Sequence, residues 1–238
     1  GDYLMGKSKD LATGETRFVN TAGDTMTGDL TISSTAGQLK LTDTDGTEQN
    51  TTIKQSGGNV FIQARDNTNN AGIVFAGNGG GNYSEHMRIN ASGIVTMPNQ
   101  PMFRVRCANN NNVDGTVSGG VILAGTGFYQ SNTLVQAGSH FSISTGRFTA
   151  PVNGYYYLNF SNRLDQVGSG YVYFTILDNG GGVVVRNLTN VNTTYQTLHC
   201  SAVHYMSAND YVYVRYDAQS DAYVNHDSDG FFSGFLIG

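Results

Sequence analysis

Apolar and polar residues alternate with a period of two along most of residues 102–238. The segment 141–160 shows the pattern clearly, because apolar side chains occupy every second position on both sides of a turn, at Phe148, Ala150, Val152, Tyr156, Leu158 and Phe160. A period of two places successive side chains on opposite faces of a strand. The segment is therefore predicted to be a hairpin with one buried face, closed by the turn from Pro151 to Gly154.

Further alternating runs predict more strands after residue 101. Phe103, Val105 and Cys107 share one face there, and the later runs are Tyr171–Leu177, Gly182–Arg186, Tyr195–Met206, Tyr211–Tyr216 and Phe231–Ile237. Most of the tyrosines that alternate along strands are expected at sheet faces or between subunits, namely Tyr155, Tyr157, Tyr171, Tyr173, Tyr211 and Tyr213. Abundant glycine and only 13% charged residues also favour strands and turns over long helices. The predicted class is all-β.

Residues 33–100 show the same alternation in shorter runs. They are Leu39–Thr42, Asn59–Ala64, Gly72–Ala76 and Met87–Ile89, separated by stretches of Gly, Asn and Asp. No run carries enough apolar side chains for a core of its own, so copies of the chain are expected to pack together. Met97 to Pro101 is predicted to be a stiff, extended joint, because each proline disfavours helical geometry in the residue before it.

Composition excludes several classes of function. The net charge is −5 and no basic cluster exists, so a nucleic-acid binder is not expected. No run of about 18 apolar residues is present, so membrane insertion is not expected either. The chain opens with GDYLMGK, which lacks an initiating Met, and we interpret it as a fragment of a longer protein. Cys107 and Cys200 are expected to be small buried hydrophobes.

Three sequence elements after residue 140 resemble one family. They are Phe141 and Phe148 followed by Gly154-x-Tyr156-x-Leu158-x-Phe160, then Met206–Val214 with Asn209 in place of the usual Gly, then Phe232–Ile237. In this order they are similar to the globular head of complement component 1q, a jelly roll of the tumour necrosis factor superfamily. The resemblance implies a C-terminal jelly-roll β-sandwich head over residues 101–238.

Two elements before residue 101 resemble another family. Gly23-Asp24-Thr25-Met26-Thr27-Gly28-Asp29-Leu30 is similar to an element of bacteriophage tail fibres, and Glu85–Val95 is similar to a strand pair near the ends of fibre shafts. The resemblance implies a fibre linker at 1–35, an intertwined trimeric β shaft at 36–100 and the head at 101–238. It also implies a homotrimer in the virion tail fibre, assembled in the host cytoplasm, which joins other tail proteins through a region before Gly1.

The alternating direction of successive strands predicts which loops lie at the outer tip of the head. If each strand from 141 onward runs opposite to its predecessor, Ser161–Gly170, Asn187–Thr194 and Asp217–Gly230 share one end, and the shorter turns share the end beside residue 102. Long polar loops on a rigid scaffold are common recognition sites. The predicted receptor-binding residues, at or beside these loops, are Arg163, Asp165, Tyr195, Asp221, Tyr223, His226 and Asp227.

The expected function is adhesion to a host surface receptor, either a glycan or a protein. The alternatives are a purely structural trimerisation cap and a polysaccharide depolymerase, for which Asp165 with Asp221 or Asp227 could supply paired carboxylates. No nucleophile or phosphate-loop motif is present, so an enzyme is not expected, and no cofactor is expected. Asp217, Asp221, Asp227 and Asp229 could bind Ca²⁺, but a solvated acidic loop is the preferred interpretation. His199 and His204 are five residues apart on one strand, so they are expected on opposite faces.

Overall fold

The computed structural model describes residues 38–42, 50–66, 71–79, 82–107, 113–114, 121–124, 134–165, 170–191, 195–219, 223–224 and 230–238. Every regular element in those ranges is a β-strand, so none of them holds a helix that could cross a membrane. Contacts divide the chain into two compact units, Gly1–Ile73 with Asn90–Ser92, and Val74–Ile89 with Gly93–Gly238. The predicted all-β class is confirmed, and the predicted linker at 1–35 lies outside the described residues.

A three-stranded antiparallel sheet forms the described part of the first unit. Its strands, in order across the sheet, are β1 (Gln38–Thr42), β2 (Asn50–Ser56) and β3 (Asn59–Arg65). Gly57 and Gly58 join β2 to β3 with φ angles of 55° and 79°, which suit a two-residue type I′ turn. The sequence pattern misses β2, because Ile53 is its only large apolar residue.

A second three-stranded sheet begins the other unit. Its order is β4 (Ile73–Gly79), β5 (Asn82–Ile89) and β6 (Val95–Thr96). Arg88 faces Thr96 and Ile89 faces Val95 across the antiparallel pair β5–β6. This confirms the strand pair predicted from Glu85–Val95.

The segment 97–101 is a turn, not the predicted extended joint. The Gln100 amide donates a 3.1 Å hydrogen bond to the Met97 carbonyl, which closes a four-residue β-turn. Pro98 occupies the second position of that turn, where its fixed φ is favourable. A domain boundary at residue 101 stays a prediction.

A five-stranded and a six-stranded sheet form a β-sandwich after residue 101. The first, called the β13 sheet, has the order β10-β7-β19-β13-β16, and the second, called the β14 sheet, has the order β11-β12-β17-β14-β15 with β9 beside β17. The strands are β7 (Met102–Arg106), β8 (Val113–Asp114), β9 (Val121–Ile122), β10 (Val135–Ala137), β11 (Phe141–Ser142), β12 (Arg147–Thr149), β13 (Gly154–Asp165), β14 (Gly170–Asp178), β15 (Val183–Val191), β16 (Tyr195–Met206), β17 (Tyr211–Ala218), β18 (Tyr223–Val224) and β19 (Phe231–Leu236).

Aromatic side chains from both sheets fill the core between them. The Phe103 ring stacks on Phe141 and Phe148 with centroids 4.9 Å and 4.5 Å away, and Phe160 meets Phe174 at 4.8 Å. All five rings are buried. Burial of one such side chain contributes about 1.5–3 kcal/mol, so this cluster makes a large contribution to the stability of the sandwich.

The segment 141–160 is not the predicted hairpin. β12 pairs with β11 and β17, whereas β13 pairs with β16 and β19 in the other sheet. Pro151 lies where the chain crosses between the sheets. The predicted buried positions are confirmed except for Val152, which is 46% exposed at the crossing.

The turn Ser207–Asp210 contains one residue with an unfavourable backbone conformation. Asn209 has a φ of 74°, and no other described non-glycine residue has a positive φ. Asn tolerates this left-handed geometry better than most residues, and Gly adopts it freely, so the replacement of Gly by Asn keeps the turn. The Asn209 amide donates a 2.8 Å hydrogen bond to the Ala150 carbonyl, and the Asp210 carboxylate accepts one from the Ser207 amide at 2.9 Å.

Candidate functional site

Strand register defines two ends of the sandwich. The near end contains the starting point of β7, where the Leu236 amide donates to the Pro101 carbonyl at 3.0 Å. The Tyr155 amide donates to the Gly238 carbonyl there at 3.0 Å, and the turn at Asn209 bonds to Ala150. The short turns at 150–154, 178–182 and 207–210 therefore lie at the end where the chain enters the sandwich.

The far end contains the longer polar connections. Asp165 faces Tyr195, Gly170 faces Val191 and Val172 faces Ala218. The Cys107 amide donates a 2.8 Å hydrogen bond to the Gly230 carbonyl, at the end of β7 remote from Met102. The predicted sorting of the connections between the two ends is therefore confirmed.

The connections themselves are shorter than predicted. β13 continues to Asp165 and β15 to Val191, so half or more of each of the first two predicted loops is strand, whereas β17 takes only the first two residues of the third. The run Asn187–Val191 belongs to a predicted connection but forms the end of β15. It is held as a strand by its pairing with β14 and by the bond from the Asn187 side-chain amide to the His199 carbonyl at 2.7 Å.

The predicted receptor-binding residues fall into three groups. Arg163 is half-buried on β13, on the same face of the β13 sheet as Tyr155 and Tyr157 but at the other end. Asp165, Tyr195 and Tyr223 are placed at the far end by their strand positions alone. Asp221, His226 and Asp227 lie outside the described residues. Their role in binding stays a prediction.

One far-end element escaped the sequence pattern. Val113 pairs with Val224, and Asp114 pairs with Tyr223, in a two-stranded sheet. β8 comes between β7 and β9 in the chain, and those two strands belong to different sheets. Its only apolar signal is Val113 in the run Asn-Asn-Asn-Asn-Val-Asp, which is too weak to predict a strand.

Gly230 anchors the base of the 219–230 connection. It is buried, and a Cβ at this position would overlap the Asn162 side chain and lie 3.0 Å from the Ser161 carbonyl oxygen. Only glycine allows the chain to pass this closely above β13 on its way into β19. The connection therefore starts and ends on rigid strands.

Asp217 and the two cysteines have contacts that indicate structural roles. The Asp217 carboxylate accepts a 2.8 Å bond from Arg215, and the three other aspartates considered for Ca²⁺ lie outside the described residues. Within the described part of the chain, no group of three or more His, Cys, Asp or Glu side chains could hold a metal. Burial raises the pKa of Cys200 to about 12 and also raises that of Cys107, so both thiols are inert and, as predicted, buried. His199 and His204 lie on opposite faces of β16, as predicted.

The sheet β1–β3 has an uncovered apolar face. Leu39, Ile53 and Ile62 form one row across the three strands, and Leu41 and Val60 extend it on the same face. Their exposed fractions run from 41% for Leu39 to 72% for Val60. The opposite face carries Lys40, Lys54 and Gln63, together with Phe61, whose ring lies 5.5 Å from the Lys54 ammonium. We call the first five residues the β1–β3 apolar face.

The β13 sheet has an uncovered aromatic face near Pro101. Its members are Tyr155, Tyr157, Val203, Tyr205 and Phe235, which we call the aromatic face. Tyr155 packs on Tyr205 with centroids 5.3 Å apart, and Tyr157 on Phe235 at 5.4 Å. Tyr155, Val203, Tyr205 and Phe235 are each 47–58% exposed. Placement of Tyr155 and Tyr157 on a sheet face was predicted, and Tyr205 joins them there.

Comparison with known proteins identifies the kind of sandwich. Residues 127–237, just under half of the chain, match the C1q domain family. The β-sandwich is thus a jelly roll of the C1q type, as its sequence elements predicted, and the C1q domain is a non-enzymatic module for binding and trimerisation.

Among solved structures, the globular domain of a zebrafish complement 1qA protein is 22% identical over 58% of this chain and 98% of that chain, with a TM-score of 0.42. No curated protein matches the chain.

Proposed function

We propose that the chain is the distal part of a bacteriophage tail fibre, a homotrimeric adhesin that recognises the host cell surface through the far end of its C1q-like head. The observation that carries the proposal is the grouping of the long polar connections at one end, opposite the end where the chain enters the head. The resemblance of Gly23–Leu30 and Glu85–Val95 to fibre elements supports the location in a virion.

Trimerisation is supported first by the β1–β3 apolar face. A three-stranded sheet with one uncovered apolar face cannot form a core alone. Identical faces from three copies can close around an axis and bury one another, and the charged face with Lys40 and Lys54 then faces water. This arrangement matches the intertwined shaft expected from the sequence.

Trimerisation is supported next by the aromatic face. C1q domains typically form trimers. Exposed tyrosine and phenylalanine side chains on one sheet face suit an interface between copies, because each ring supplies a large contact area at low conformational cost. The proposed interface leaves the far-end connections open to a receptor. Three identical far ends would raise the avidity for repeated receptors.

Cell adsorption tests the adhesin role. Tyr223→Ala and Arg163→Ala in the full chain are expected to reduce binding to host cells, whereas the near-end substitutions Val152→Ala and Asn179→Ala are expected to have no effect. Arg163 lies on the same side of the β13 sheet as the aromatic face, which is the proposed trimer interface. The mass of each variant must therefore be measured first, to show that it is still a trimer. Unchanged adsorption by intact Tyr223→Ala and Arg163→Ala trimers would contradict the proposal.

The same two uncovered faces also favour a second function, a trimerisation and capping module with no receptor contact. It predicts that far-end variants adsorb normally and that only the interface variants lose activity. Depolymerase activity has no support from the described carboxylates, and incubation with host polysaccharide would reveal it through falling chain length.

A further inference from the structure

We propose that the outward face of the β14 sheet binds an acidic polysaccharide, at a site separate from the far-end connections. This face carries tyrosine and arginine side chains in a regular array. We call it the arginine–tyrosine face, and its members are Arg147, Tyr171, Tyr173, Arg186, Tyr211, Tyr213, Arg215 and Asp217.

Cross-strand pairing fixes the array. Thr175 on β14 lies between Arg186 on β15 and Arg215 on β17, so the two arginines are two strand spacings apart, about 10 Å. One step toward the far end, Tyr173 lies between Leu188 and Asp217, and Tyr171 follows it. One step toward the near end, Tyr213 pairs with Arg147. Arginine side chains and aromatic rings thus lie near one another on one face of the sheet, together with Thr175 and the exposed Leu188.

The arginine side chains are held in place by the sheet. The Arg186 guanidinium lies 4.6 Å from the Tyr173 ring centroid, and its Nε donates to the Thr175 hydroxyl at 3.1 Å. The Arg147 guanidinium lies 4.1 Å from the Tyr211 ring centroid. Because one face of each guanidinium rests on a ring, its edge keeps N–H donors for an external anion.

The charge of this face differs from that of the whole protein. Among its described side chains there are three arginines and a single carboxylate, although the chain as a whole has a net charge of −5. The carboxylate, Asp217, bonds to Arg215 at 2.8 Å. The described contacts of Arg147 and Arg186 are with rings and a hydroxyl, so their charges remain available to a ligand with carboxylates.

The aromatic residues indicate a sugar polymer as the ligand. Tyr171 is 38% exposed, and its ring is 6.1 Å from that of Tyr173 with an angle of 19° between their planes. The exposed Tyr171 ring, held by stacking on Tyr173, can pack against a pyranose ring, while the fixed arginines bind acidic substituents. Nucleic acid is disfavoured, because three arginines on an acidic protein cannot neutralise a continuous phosphate backbone.

The proposal goes beyond the adhesin role of the far end. In the proposed trimer, the aromatic face of the β13 sheet is covered, so the opposite surface of the sandwich faces outward. The site would let the side of the head contact an acidic capsule or other surface polymer while the far end meets its receptor.

Glycan binding by the purified full chain provides the test. The probes are alginate, polygalacturonate and polysialic acid, with neutral dextran of similar length as reference and single-stranded DNA as the competing polyanion. We expect at least one acidic polysaccharide to bind in low salt and to weaken as salt screens the charges. Arg186→Gln should reduce that affinity at least tenfold, and Arg186→Lys should reduce it less. Tyr171→Ala should reduce it more than Tyr171→Phe does.

A matched control tests whether the loss of affinity is specific to the arginine–tyrosine face. Arg65→Gln, which removes an exposed arginine from the first unit, should bind the acidic probe like the parent chain. The inference is overturned if none of the three acidic polysaccharides binds, if DNA binds more tightly, or if Arg186→Gln binds like Arg65→Gln. Because the readout is polysaccharide binding in solution, its failure would leave the cell-adsorption result for Tyr223→Ala unaffected.

Discussion

Substitution of Ile62 is expected to weaken the association of the chain. Ile62 is 49% exposed on the β1–β3 apolar face, in one row with Leu39 and Ile53. Closing that face in a trimer would remove the remaining half of its surface from water. Since full burial of such a side chain contributes about 1.5–3 kcal/mol, the remaining half contributes about 1 kcal/mol per copy.

Ile62→Ser would lose this contribution and also bury a hydroxyl, at a cost of about 1–3 kcal/mol without a partner. The sum is about 2–4 kcal/mol per copy, or roughly 6–12 kcal/mol for three copies. At about 1.4 kcal/mol per tenfold change, the lower value corresponds to about a 10⁴-fold weaker association.

Sedimentation of the full chain over a dilution series provides the assay. The matched control is Gln63→Ser, because Gln63 is the next residue on β3 and lies on the opposite face. It should dissociate at the same concentration as the parent chain, whereas Ile62→Ser should dissociate at a much higher one. If the two variants behave identically, the apolar face is not an interface and the reasoning is refuted.

Three further predictions concern the head. Asn209→Ala should destabilise it by about 1 kcal/mol in a denaturant titration, because Ala is strained at positive φ, while Asn209→Gly should be neutral or stabilising. Gly230→Ala should lower the free energy of unfolding by more than about 2 kcal/mol in the same titration, because its methyl group would overlap Asn162. Gly180→Ala, in an open turn, should change that free energy little. Cys107 and Cys200 should resist iodoacetamide at pH 8, because burial raises both thiol pKa values and the reactive thiolate forms only at higher pH; rapid labelling of the native protein would contradict their burial.

The alternation of side chains predicted which residues form the core but not which strands pair. Phe148, Leu158 and Phe160 were predicted to be buried and are. The predicted hairpin was wrong because β12 pairs with β17, more than 60 residues further along the chain. Period-two patterns identify the buried face of a strand, whereas its partner depends on contacts that are distant in sequence.

The alternation of strand direction predicted which connections lie at the far end of the head, because consecutive strands reverse direction whichever sheet they join. Loop length was harder to predict, since strands such as β15 continue through polar residues when a neighbouring strand supplies the hydrogen bonds. The pairing of Asp114 with Tyr223 depends on two short segments about 110 residues apart, and neither has a pattern of its own. The arginine–tyrosine face was hidden for a related reason, because its members come from four strands that are neighbours only after folding.

The mass of the full chain in solution, measured by sedimentation equilibrium, tests the central claim most directly. If the β1–β3 apolar face and the aromatic face are buried between three copies, the measured mass is three times the chain mass of 25.5 kDa. A folded, soluble species with the mass of one chain would contradict it.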